Sequence, residues 1–76
     1  MEKMMRSEIE AAAREIMEYL DAHGDMPVLA IKSALGRPEL HFYMGLGELI
    51  LQSRVLIQES DGVFWARQTV PQAKAA

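Results

Sequence analysis

The chain is predicted to fold as one α+β domain: three helices, then a two-stranded hairpin, with room for a short extra strand near residues 25–27. Three observations predict it. Apolar residues recur at helical spacing over residues 7–23. Two segments at 27–36 and 37–51, each introduced by a proline, carry further helical patterning. Two β-rich runs then flank Asp61-Gly62. Seventy-six residues leave no room for a second core. The expected division is a disordered N-terminus at 1–6, the domain at 7–67 and a disordered tail at 68–76.

The first helix is expected over 7–23. Ser7 followed by Glu10 fits a capping box, in which each side chain satisfies an otherwise free backbone N–H. Ile9, Ala12, Ala13, Ile16 and Leu20 then form an apolar stripe, widened by Met17. Glu8, Arg14, Glu15, Glu18 and Asp21 occupy the other face. Glu10–Arg14 and Arg14–Glu18 are spaced i,i+4, each worth about 0.2–0.5 kcal/mol. Gly24 suits a left-handed stop.

Asp25-Met26-Pro27 reads as an extended link, because a residue before proline avoids the α region. Proline then suits the first turn of a second helix, where its missing N–H costs nothing. Val28, Ile31 and Leu35 give the buried spacing and Gly36 closes a helix of about eight residues, too short to stand without packing. Arg37-Pro38 opens the third helix by the same device. Its expected core face is Phe42, Leu46, Leu49, Ile50 and Ser53. Gly45 and Gly47 interrupt it, each costing about 1 kcal/mol relative to alanine. The expected compensation at both is close approach of a neighbouring helix backbone.

Strands are expected at 55–59 and 63–67, joined at Ser60-Asp61-Gly62, where Asp-Gly is a strong hairpin signal. Two- and three-residue loops both fit, so the register stays open. Neighbouring strand residues point to opposite faces. One of Phe64 and Trp65 must therefore face outward, and the favoured pairing sets Trp65 inward beside Ile57 and Phe64 near Leu56 on the open side.

Half the residues are hydrophobic and a quarter charged, as in ordinary globular domains. Without cysteine, neither a disulfide framework nor a thiolate metal site is available. The N-terminal run Met1-Glu2-Lys3-Met4-Met5-Arg6 lacks the apolar stretch of a signal peptide, and no segment approaches the roughly 20 apolar residues that span a bilayer. The expectation is a cytoplasmic protein with no membrane partner, cofactor or evident small-molecule substrate. Eleven acidic against eight basic side chains give a net charge of −3, a bulk field that repels nucleic acid unless a local basic patch overcomes it.

Helix, link, helix, tight turn, helix and hairpin is the order of the winged helix-turn-helix superfamily. More closely, the run Phe42-Tyr43-Met44-Gly45-Leu46-Gly47-Glu48-Leu49, with Arg54-Val55, the Asp61-Gly62 turn, and apolar Val28 and Ile31, resembles a family of small stand-alone winged-helix proteins of bacteria and archaea with no established function. The resemblance spans about residues 7–67. Glu48 departs from it, standing where that family tends to an aromatic residue. The resemblance implies the fold and transfers no catalytic residue.

In a DNA-binding winged helix the exposed side of the third helix enters the major groove and the wing touches backbone. Here that side carries Arg37, Leu40, His41, Met44, Gly47, Glu48 and Leu51. Arg37 and His41 suit a phosphate or a base edge, Arg54, Arg67 and Lys32 suit phosphates, and Tyr43 is a further candidate. The partner would be double-stranded DNA, and the function that of a transcription-regulator module. The competing reading is a set of solvated surface charges. Leu40, Met44, Gly47 and Leu51 form a second apolar line opposite the core stripe. Either both faces of the helix are buried, or the line, together with Phe64, is a surface for a protein partner or a second copy of the chain. His23 suits a helix C-terminus, and two histidines eighteen residues apart make no metal motif. No phosphate-cradling glycine loop follows a strand, and no nucleophile converges on the carboxylates, so no enzyme is expected.

Overall fold

The computed structural model describes residues 5–69. The order is α1 (Met5–His23), β1 (Met26–Pro27), α2 (Val28–Leu35), α3 (Glu39–Leu51), β2 (Val55–Ser60) and β3 (Val63–Gln68). The strands form one antiparallel sheet in the order β1-β3-β2. This is the α+β architecture of a winged helix, with a third strand added to the hairpin.

Helix α1 is already formed at Met5, so Ser7 lies inside it and the expected capping box is not the helix start. The apolar stripe holds: Ala12, Ala13, Ile16 and Leu20 are buried. Gly24, with φ of +80°, ends the helix and donates its N–H to the Leu20 carbonyl at 2.7 Å. The residues expected as a link become β1, where Met26 pairs with Ala66 and Pro27 with Trp65. A proline is tolerated there because β1 is an edge strand. Pro27 is extended (φ −63°, ψ 139°) and sits at the N-cap of α2, one position before the first helical turn where it was expected.

Helices α1 and α3 pack through Gly45. A Cβ at that position would stand 2.9 Å from the Ala12 Cβ, 2.9 Å from the Ala13 nitrogen and 3.1 Å from the Ile9 carbonyl oxygen. Only glycine admits so close a backbone. Gly47 is different: among the described residues a Cβ there meets nothing within 4 Å. The expected close packing of Gly47 inside the domain is therefore overturned, because that position turns away from α1.

The core face of α3 is Phe42, Gly45, Leu46 and Leu49. Ile50 and Ser53, expected on it, are not. Ile50 is exposed, since it follows Leu49 by one residue and turns onto the flank. Ser53 takes the left-handed conformation (φ 60°) that ends the helix, its N–H donating to the Ile50 carbonyl at 2.9 Å. The core is completed by Ile16, Leu20, Val28, Ile31, Val55 and Ala66.

Asp61 (φ 53°) and Gly62 (φ 80°) make a two-residue loop closed by the Ser60–Val63 pair. Both central residues at positive φ define the hairpin turn whose twist matches the strands. That loop length sets the faces. Ile57 pairs with Ala66, Glu59 with Phe64 and Gln58 with Trp65. Directly paired residues share a face, so Val55, Ile57, Ala66 and Phe64 point to the helices, while Leu56, Trp65 and Arg67 point away. The expected placement of Trp65 inward and Phe64 outward is reversed. A one-residue change of loop moves every side chain to the other face, and at the inner position against the helices stands the small Ala66.

Candidate interaction surface

Arg37 follows Gly36, the C-cap of α2, and reaches α1. Its Nε and Nη2 donate to the two carboxylate oxygens of Glu15 at 2.8 and 2.9 Å, and Nη1 donates to Glu8 Oε1 at 3.4 Å. The side chain keeps 20% of its surface accessible. Hydrogen bonding to Arg37 holds the Glu15 carboxyl below its ordinary value, outweighing the opposing effect of burial. The same bond raises Arg37 above its own. A two-pronged Arg–carboxylate pair of this geometry is a strong form of ion pair. Arg37 therefore ties the α2–α3 turn to α1, and its fork points inward.

Two more of the expected phosphate contacts are paired. Lys32 Nζ lies 3.2 Å from Glu39 Oε2. Arg67 Nε lies 3.5 Å from Asp25 Oδ2, and its Nη1 donates to Gln58 Oε1 at 3.1 Å. Arg54 is exposed and has no ion-pair partner among the described residues, yet it lines a cleft with Glu10, Glu18, Asp21 and Glu48. His41 is half-buried, and its Nδ1 is enclosed without a hydrogen-bond partner. Tyr43 is exposed, its ring edge-on to Phe42 with centroids 5.1 Å apart. Of these six residues, Arg37, Lys32 and Arg67 are thus held by carboxylates and His41 is half-buried, so they do not present a set of free cations.

The apolar candidates behave otherwise. Leu40, Met44 and Leu51 all stay exposed, Leu51 at 85%. Of the two outcomes open for the second apolar line, the uncovered one is observed. Tyr43 and Ile50 flank that line on the side of the wing. Beyond Tyr43 an apolar groove of about 400 Å³ opens between α2, α3 and the hairpin, walled by Leu29, Tyr43, Leu46, Ile57, Val63 and Phe64. Phe64 lies on the helix-facing side of the sheet but remains 55% exposed, as a wall of this open groove. Tyr43, which flanks the line on α3 and walls the groove, joins the two into one surface.

Sequence reasoning missed Leu29, Ile50 and Val63 as parts of this surface. Leu29 did carry a signal, a leucine lying off the Val28–Ile31–Leu35 stripe of its helix. Val63 and Ile50 carried none without the register and the arc of α3 that faces the core.

Among the described residues no group of three or more histidine or acidic side chains is placed to hold a metal ion, and no helix is long and apolar enough to cross a membrane. Comparison with known protein families and with curated proteins finds no match to this chain.

Proposed function

We propose that this domain is a non-enzymatic protein-interaction module on a winged-helix scaffold, using the outer line of α3 and the neighbouring groove. One observation carries the reading: the side of α3 that DNA binding would use presents Leu40, Met44 and Leu51, while Arg37, Lys32 and Arg67 are held by carboxylates. Contiguous exposed apolar surface of this kind marks interaction sites. Leaving Arg54 as the one expected arginine or lysine contact without an ion-pair partner among the described residues gives a salt dependence of about one unit of slope, against several for a typical DNA binder. The net charge of −3 opposes phosphate further.

A second reading, a regulator-type DNA-binding module, is supported by the order of elements and by exposed pairs that exchange readily. The Arg67–Asp25 pair, about half exposed on both sides, is of a class worth little in water. An NMR titration with mixed duplex DNA at low salt separates the two. Amides of α3 and the wing are expected to stay unshifted. Shifts concentrated on them would overturn the interaction reading and favour DNA.

A further inference from the structure

We infer that the partner is a second copy of this chain, paired through α3 about a two-fold axis at Gly47. This rests on the interaction reading above and names its occupant.

Gly47 is the starting point. Gly45 is explained by the α1 backbone against it, whereas among the described residues nothing outside its own helix backbone lies within 4 Å of a Cβ at Gly47. A glycine in a helix interior weakens the helix, and here no contact among the described residues requires it. Yet Gly47 sits in the exposed apolar line, between Met44 and Leu51. A second helix crossing there would approach more closely over glycine than over any other residue.

The surface is also self-complementary about that point. Two antiparallel α3 helices centred on Gly47 bring Tyr43 beside the other copy's Leu51, and Met44 beside its Ile50. Tyr43 is a wall of the groove. Leu51 and Ile50 are the projecting side chains at the far end of the same helix, 85% and 41% exposed. Each copy thus offers a projection and a recess on opposite sides of Gly47, and one two-fold axis fills both recesses. This is the reciprocal arrangement that an isologous dimer requires. Antiparallel pairing about this axis also brings both wings to the same side of the helix pair, so that Ile50 and Leu51 of each copy approach the groove of the other.

The chemistry agrees. The exposed apolar side chains of the α3 line adjoin those of the groove, as the apolar centre of an interface requires. No charged side chain walls the groove. A small-molecule ligand site would carry a few convergent polar groups to orient its occupant, and this recess is almost wholly apolar, so side chains suit it better.

Sedimentation equilibrium of the full chain, from micromolar to millimolar protein, tests the proposal. The wild type is expected to dimerise, and Leu51→Glu to weaken association ~100-fold or more, as for a central contact made twice per dimer. Gly47→Leu is expected to weaken it comparably while the circular dichroism of the dilute protein stays native, which separates a blocked interface from a failed fold. In a mixed sample of labelled and unlabelled chains, intermolecular NOEs are expected between the Leu51 methyls and the Tyr43 ring. A wild type that stays monomeric at millimolar concentration overturns self-association. A dimer that both substitutions leave intact overturns the α3 geometry. Failure of the broader reading shows separately, as DNA-induced shifts of the α3 amides.

Discussion

A single methyl group, added at Gly45 and separately at Gly47, should move stability in opposite directions. Alanine replaces helical glycine with an intrinsic gain of about 1 kcal/mol. At Gly47 nothing among the described residues opposes that gain, since the new Cβ has no neighbour there within 4 Å. Gly47→Ala should therefore stabilise the dilute monomer by about 1 kcal/mol, or roughly 4–8 °C in Tm for a domain of this size. At Gly45 the new Cβ would stand 2.9 Å from both the Ala12 Cβ and the Ala13 nitrogen. The second of these is helix backbone, which cannot swing aside as a side-chain tip can. Overpacking of this sort costs about 1–3 kcal/mol. Set against the propensity gain, Gly45→Ala should lower stability by up to about 2 kcal/mol. Urea unfolding followed by circular dichroism, at protein concentrations low enough to keep the monomer, measures both. If Gly45→Ala is stabilised as much as Gly47→Ala, the α1–α3 approach is not as close as described and the reasoning fails.

Arg37→Gln should cost about 1 kcal/mol at neutral pH, the scale of a well-formed, partly exposed ion pair, with a pH dependence whose sign is set by Glu15. Because the folded Glu15 carboxyl titrates below its unfolded value, its contribution is present above the unfolded carboxylate range. It is lost as pH falls through the folded value. The gap between wild type and variant should accordingly narrow in acid, and a gap that stays constant in urea unfolding at successive pH values would refute the assignment. Trp65, the lone tryptophan, is 37% exposed on the open face of the sheet. Its fluorescence in the folded protein should be readily quenched by acrylamide, and protection approaching that of a core indole would restore the inward placement. Trp65→Ala should also cost less than Val55→Ala, whose fully buried side chain loses about 2 kcal/mol or more on truncation.

How much was legible follows the range of each interaction. The helices were visible because each depends on residues three and four apart, and because Gly24, Gly36, Pro27 and Pro38 mark their limits through local backbone preference. Their exact starts were less so: Ser7 looked like a cap only because nothing in sequence shows that Met5 and Arg6 already follow the helix. The candidate site was read in pieces. The line Leu40, Met44, Gly47 and Leu51 was recognisable from spacing, but its exposure was not, since a helix with two apolar faces can be covered on both. The basic residues looked available because their partners are distant in sequence. Arg37 meets Glu15 twenty-two positions away, and Lys32 meets Glu39 across the turn between two helices.

Sequence by itself determined that this chain makes three helices and a hairpin in that order, that no thiolate chemistry is available, and that α3 carries two apolar lines. Those properties are local or compositional. Tertiary structure decided which of Gly45 and Gly47 lies against another helix, which of Phe64 and Trp65 faces the helices, and which cations remain unpaired. Each depends on how elements distant in sequence meet. A two-residue turn sets the parity of an entire strand, and one helix crossing determines which glycine has a neighbour. The apolar face of α3 was therefore present in the sequence as a pattern, and only the packing of α1, α2 and the sheet left it open.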